Sequence, residues 1–252
     1  MIVNSATPSP REGEGRGGGR TAPGDGQDGI ASRVRHAALD ALARLDLVPV
    51  AAAARALAPR VRAGGVLHVL GAGHSQLLAL EGFYRAGGPA WLVPLVDERL
   101  SPARGVRVTE YERSPGLGPD LVGGLDPCGA LLVVSSSGRN AVPVEAAAAA
   151  RAAGLLTIAI TSRGPGNRLA PAVEHVLDSG VPAGDATVPV GGARMGPIST
   201  VVGAVLLHAL LAETETLLGC GSVLISNNVE GGDAHNAALI VRYPHLAGRP
   251  LP

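Results

Sequence analysis

"LLVVSSSGRNAVPVEAA", Leu131 to Ala147, decides how this chain is built. Four apolar residues, Leu131 to Val134, run without a polar break, and three serines, a glycine, Arg139 and Asn140 follow. An alanine-rich segment then starts at Ala141. A short, unbroken apolar run bounded by turn residues reads as a strand buried on both faces, the setting of a parallel sheet. The alanine-rich continuation reads as a helix to about Ala153, so the hydroxyls stand where a strand ends and a helix begins.

The same unit occurs upstream, where "VLHVLGAGHSQLLALEGFY" (Val66 to Tyr84) reads as strand, Gly/Ser loop and helix. Further apolar runs predict strands at Ala90–Val96, Leu155–Thr161 and His175–Gly180, with a short helix near Asp120–Leu125. Before the first strand, Val34, Leu39, Leu42 and Leu45 keep helical spacing to Arg62. Pro49 divides that region into two helices, because proline is tolerated in a first turn. A nearly all-apolar helix over Ser199–Leu218 is expected to lie deep, at a subunit contact. Alternating strands and helices predict an α/β three-layer sandwich around a five-stranded parallel sheet. The segments are then 1–29, a disordered Gly/Arg-rich tail with too little apolar content to order itself, and 30–63, a helical pair packing on the domain. Residues 64–220 form the domain proper, and 221–252 a C-terminal tail contributing to its site.

At 252 residues the chain has room for one sizeable domain with additions. It is 46% hydrophobic but only 2% aromatic, so its core must be built from Ala, Val and Leu. The formal charge is zero, which removes a whole-chain electrostatic case for nucleic acid or an anionic membrane. All 21 basic residues are Arg. Without lysine there is no Schiff base, no lysine-anchored pyridoxal phosphate and no Gly-Lys-Ser/Thr phosphate loop. Cys128 and Cys220 form no metal-type pair, which fits a reduced, cytoplasmic protein. The polar start is unlike a signal peptide, and the apolar run Val201–Ala212 is shorter than the ~18 residues of a membrane span.

In a doubly wound sheet both Gly/Ser loops leave the carboxyl ends of strands, where such sheets bind ligands. Free N–H groups at a helix start, serine hydroxyls and close backbone approach at glycine together make a phosphate grip that needs no lysine. A dinucleotide fingerprint would need glycine where Gln76 stands, and no Gly-x-Ser-x-Gly elbow occurs. The competing reading of the serines is plain helix capping. Three in a row, matched in kind at a second loop, favour phosphate.

"GAGHS" (Gly71–Ser75), "SSSGRN" (Ser135–Asn140), "STVVGAVLLHAL" (Ser199–Leu210) and "SNNVEGGDAHN" (Ser226–Asn236) together resemble the SIS (sugar isomerase) domain family. The last motif is similar to endings in its UPF0309 group. The resemblance spans about Ile30 to Asn236. It implies flavodoxin-like winding, a homodimer or homotetramer with a shared site, and a sugar phosphate as ligand. Position by position, Ser135, Ser136, Ser137 and Asn140 would hold the phosphate. Gly73 and Ser75 would approach the sugar, and Ser199 or Thr200 would close the site. Arg139-Asn140 departs from the small residue and Thr or Ser of many members. Arg139 either reinforces the phosphate or points to solvent.

Moving a carbonyl between sugar carbons needs a base and a group that manages ring opening. Glu81 is the candidate base, on the helix leaving the first loop, with an i,i+4 pairing to Arg85 as the competing structural role. His235 is the second candidate, assisting ring opening and reaching a neighbouring subunit's site as the family resemblance implies. His74 sits in the first loop as a substrate contact. His68 reads as a packed residue and His208 as buried structure that can line the pocket. No pair of metal ligands at i,i+4 is evident, so neither metal nor cofactor is expected. The expected activity is aldose–ketose isomerisation of a sugar phosphate. The alternatives are a lyase or etherase on a phosphorylated amino sugar, and a sugar-phosphate sensor regulating a protein partner. No basic recognition helix precedes the sheet, so direct nucleic-acid binding is disfavoured.

Overall fold

A computed structural model describes residues 29–248 of the chain. The predicted tail therefore lies, apart from Gly29, outside the described residues. Helices α1 (Ile30–Ala43) and α2 (Val48–Arg62) come first, with Pro49 in the first turn of α2 where its missing N–H breaks no hydrogen bond. The alternating run is β1 (Leu67–Gly71), α3 (Gln76–Glu81), β2 (Leu92–Leu95), α4 (Arg107–Glu112), α5 (Leu117–Val122) and β3 (Ala130–Val134). It continues with α6 (Ala141–Ala152), β4 (Leu156–Thr161) and β5 (His175–Asp178). A hairpin of β6 (Ala186–Val190) and β7 (Ala193–Pro197) then precedes α7 (Ser199–Leu218), and α8 (Gly232–Arg242) follows.

The five-stranded sheet has the order β2-β1-β3-β4-β5, and every pairing is parallel. This is flavodoxin-like winding, and the direction of winding reverses between β1 and β3. Strand residues alternate between two cores, as a pleat requires. Leu67, Val69, Leu132, Val134, Ile158 and Ile160 face the layer containing α2 and α7. Leu70, Leu131, Val133 and Ala159 face the layer of α5 and α6. Burial on both faces is why these strands read as unbroken apolar runs rather than alternating ones.

α7 is long and apolar enough to cross a membrane by length and composition, yet here it packs against α2. Val202, Leu206, Leu207, Leu210 and Leu211 are buried on its inner face. Its outer face keeps Val201 and Val205 exposed. The far end of α7 is tied to the sheet by a buried carboxylate. Glu215 accepts hydrogen bonds from Trp91 Nε1 at 2.7 Å and from the Ser222 backbone N–H at 2.8 Å. The Ser222 hydroxyl donates to it as well.

The hairpin, α4 and α8 were not anticipated. β6 is half-buried and β7 mostly exposed, and both are short and carry a proline, Pro189 and Pro197, which argues against a strand reading. Gly191-Gly192 between the two strands is a hairpin turn signal that the sequence does carry. The hairpin leans on α1, where Arg33 donates to the Pro189 carbonyl at 3.2 Å. α8 is anchored by buried Asn236, whose amide both accepts from Ile225 N–H and donates to its carbonyl.

Replacing Glu215 by Ala strands three buried donors, and the expected loss is ~3 kcal/mol of unfolding free energy. Urea unfolding followed by the emission of Trp91, the chain's one tryptophan, measures it directly. A second expectation concerns acid. Burial, and then the neighbouring His245, hold His68 below the usual histidine value, with Asp126 opposing. Burial also lowers His245, against its bonds to the Ala90 and Leu92 backbone. Both folded values lie below the unfolded one, so the unfolded chain binds more protons. Stability is then complete above about pH 6.5 and is lost as pH falls through that value toward the folded ones. The urea midpoint should drop on acidification through this range, and His68→Asn should flatten the slope.

Candidate functional site

The register of β1 with β3 sets Gly71 beside Val134, so the two Gly/Ser loops leave adjacent strand ends at the reversal point. The first loop turns at once. A Cβ on Gly71 would stand 2.3 Å from the Ser75 carbonyl oxygen, so only glycine allows that return. A 3-10 turn, Gly73–Ser75, then leads into α3.

The second loop is shaped by its neighbour, residues 162–169. Gly138 has φ +60°, and a Cβ there would meet the Asn167 side chain at 2.4 Å. Asn167 donates to Thr161 Oγ1 and to the Ser162 carbonyl, both at 2.7 Å, and accepts from Ala170 N–H. The Gly138 carbonyl accepts from the N–H groups of Arg168 and Leu169. The Arg139 guanidinium donates to the Pro165 carbonyl, and Arg168 donates to the Arg139 carbonyl. Arg139 stays exposed, with one guanidinium N–H on the Pro165 carbonyl and its side chain lining the cavity between the two loops.

Between the loops lies a cavity of about 730 Å³. Ser75 from the first loop and Ser135, Ser136, Ser137 and Asn140 from the second line it. The Ser135 hydroxyl accepts from Gly138 N–H at 3.2 Å, which tightens the loop. The Ser136 and Ser137 hydroxyls bond no described residue. Asn140 is the N-cap of α6, but no side chain caps that helix. Capping therefore does not account for the three serines. An uncapped helix start carries free N–H groups and partial positive charge, and beside it stand two uncommitted hydroxyls. That arrangement suits an anion.

Ser75 and Ser136 also line a small adjoining cavity with Ser199 and Thr200. Ser199 is not free there, since its hydroxyl donates to Asp185 Oδ2 at 2.5 Å. Asp185, at φ 62°, also accepts from the N–H groups of Ile198 and Ser199 and so caps the start of α7.

Other expected site residues stand apart. Gly73 is buried in the 3-10 turn and His74 is exposed on it, and neither lines these cavities. Glu81 ends α3, where it pairs with Arg85 and meets His208 Nε2 at 3.3 Å. Burial, then Arg85, holds the His208 imidazole below its usual value. His208 lines a separate cavity of about 330 Å³. His235 lies in the first turn of α8, its Nε2 2.8 Å from the Val223 carbonyl. Within one protomer, neither Glu81 nor His235 reaches the serine cavity. No group of three or more His, Cys, Asp or Glu placed to hold a metal ion occurs among the described residues.

Three side chains at the site escaped the sequence reading. Asn167 and Asp185 act through loop geometry that no local pattern announces. Glu112, at the end of α4, lines the serine cavity. Burial pushes its carboxyl above the usual range, opposed by the Arg113 charge and a hydrogen bond with the Asn140 side chain.

Comparison with known proteins gives a consistent picture. The SIS domain family matches residues 34–162. A UPF0309 protein of Listeria monocytogenes serotype 4b is 37% identical over 206 residues, covering 74% of this chain and 83% of that one. One from Geobacillus thermodenitrificans is 36% identical over 210 residues, covering 76% and 84%. Among solved structures, one described as a phosphosugar isomerase involved in capsule formation, from Bacteroides fragilis, superposes with a TM-score of 0.52 at 22% identity. That match covers 76% of this chain and 92% of that one. A phosphoheptose isomerase from Neisseria gonorrhoeae gives 0.52 at 20% identity, covering 74% and 95%. At these identities the structural likeness establishes the fold.

Gly138→Ala would force a side chain into a left-handed backbone and against Asn167, at an expected cost of ~2 kcal/mol. Urea unfolding of the variant measures the loss, and an unchanged midpoint would mean that Asn167 does not wedge the loop.

Proposed function

The chain belongs to the SIS-domain family, in its UPF0309 group, and from that premise we propose that it binds a sugar phosphate and interconverts its aldose and ketose forms. The observation that carries the reading is the uncapped start of α6 beside the free hydroxyls of Ser136 and Ser137, with Ser75 across the reversal point. A phosphate ester placed there would be held by neutral donors and a helix terminus, with the Arg139 and Arg163 cations lining the same cavity, which is how a chain without lysine can grip it. The remaining cavity has room for the sugar and its hydroxyls. Asn140, which lines the same cavity, would add its amide to that grip.

Glu81 and His235 would join such a site from a second protomer. Leu77 and Leu80 on α3 and Val201 and Val205 on α7 are exposed on the flank that carries Glu81 and His208. That apolar flank suits burial against another copy, which supports a homodimer or homotetramer with a shared site.

Incubation with phosphate esters of glucose, fructose, mannose, ribose and heptoses, followed by NMR, should show at least one aldose–ketose interconversion. Binding of these esters without any interconversion would remove the isomerase assignment, and a product of lower mass would mark a lyase. Ser137→Ala is expected to weaken binding of the reacting ester about tenfold, the loss of one hydrogen bond to a charged group. Equal affinity in the variant would move the phosphate elsewhere.

A further inference from the structure

The carboxylates lining the serine cavity differ in how fully the fold uses them. Asp178 accepts from the N–H groups of Arg163 and Gly180. Asp185 is taken up by the start of α7. Glu112 alone among these three accepts no hydrogen bond from a backbone N–H among the described residues, and the Asn140 amide of the serine loop is a polar neighbour. No arginine within the described residues forms an ion pair with it, although Arg113 is its chain neighbour.

Its place is not accidental to the loop. α4 packs against α6, and the chain just beyond Glu112 is pinned to the same helix, where Gly116 N–H donates to Glu145 Oε2 at 2.7 Å. Ser114 closes the end of α4 by donating to the Glu110 carbonyl at 2.9 Å. The helix whose start faces the serine loop therefore also fixes the carboxyl that lines the same cavity. A ligand anchored by its phosphate at Ser136 and Ser137 would extend into space that Glu112 borders.

We propose that Glu112 is a catalytic residue of this cavity, the group that carries the proton between the two sugar carbons. The proposal rests on the reading that the cavity holds a sugar phosphate and deepens it by assigning a proton carrier within the same protomer. In the step, the Glu112 carboxylate takes the proton from the hydroxyl-bearing carbon next to the carbonyl. The electron pair of that C–H bond becomes the C=C bond of an enediolate, and the carbonyl oxygen takes the negative charge. The hydroxyl proton passes between the two neighbouring oxygens, the new carbonyl forms, and Glu112 returns its proton to the former carbonyl carbon. No oxidant, metal or second reactant is needed. A half-buried carboxyl held above its ordinary value is a stronger base toward a sugar C–H than an exposed one.

The test uses the full chain and the terminal-carbon phosphate esters of glucose, fructose, mannose and ribose in deuterium oxide. Calorimetry gives affinity, and NMR gives the rate at which deuterium enters the sugar C–H positions. Trp91 emission verifies that each variant is folded. Glu112→Gln is expected to bind the reacting ester within about threefold of the parent while exchange slows at least ~100-fold. Glu112→Asp, which keeps the acid but withdraws it by one methylene, should fall between the two. Exchange by Glu112→Gln within about threefold of the parent would overturn the assignment. So would a loss of affinity that accounts for the whole loss of rate, since Glu112 would then be a ligand-binding group only. A parent protein that binds esters but exchanges none overturns the isomerase reading itself, and the role of Glu112 with it.

Discussion

The reversal of winding between β1 and β3 is the constraint on which the rest of the molecule depends. Because the two strands are paired in parallel with Gly71 beside Val134, their loops must emerge side by side. Nothing else in the chain brings Ser75 and Ser136 to a common cavity. Close approach there is demanding. Gly71 has no room for a side chain against the Ser75 carbonyl, and Gly138 has none against Asn167. The serine loop is thus held from beneath by residues 162–169, through the Gly138 and Ser136 carbonyls as well as Asn167. Donors fixed in this way need not be reoriented by a ligand, which is where much of the cost of binding an anion lies.

A sheet covered on both sides needs two apolar layers, and this chain makes them almost without aromatic residues. Small and branched aliphatic side chains fill both cores, so helices come close to strands and to each other. Gly203 on α7 shows how close. A Cβ there would stand 2.5 Å from Leu78 Cδ1 on α3. The one tryptophan is buried at the entry to β2, with its indole N–H satisfied by Glu215. A polar group buried that deeply is tolerated because every donor around it has an acceptor.

Charge in the serine cavity follows the same economy. Asp178 and Asp185 are spent on backbone N–H groups. What remains for a ligand is neutral hydroxyls, helix N–H groups, the Glu112 carboxyl and the guanidinium groups of Arg139 and Arg163, which line the same cavity. The Glu81–Arg85–His208 cluster forms a second polar centre on the α3–α7 flank, within an exposed apolar surface. Those two centres are separate within one protomer, which explains why a chemical reading of Glu81 needs a second copy while one of Glu112 does not.

Local pattern was enough to read the strands, the helices between them except α4, the break at Pro49 and the full span of α7, because each depends on residues close in the chain. The two Gly/Ser loops were legible for the same reason, since a turn writes its backbone requirement into consecutive residues. β6 and β7 escaped because each is five residues long and carries a proline, and α8 because its polar start resembles a tail. Seven residues separate His74 from Glu81, but the 3-10 turn and the short α3 carry them to different surroundings. Whether Glu81 or Glu112 borders the serines is a matter of contacts between residues dozens of positions apart. Such contacts are set by how the layers pack and in which direction the sheet winds, so only the folded chain decides them.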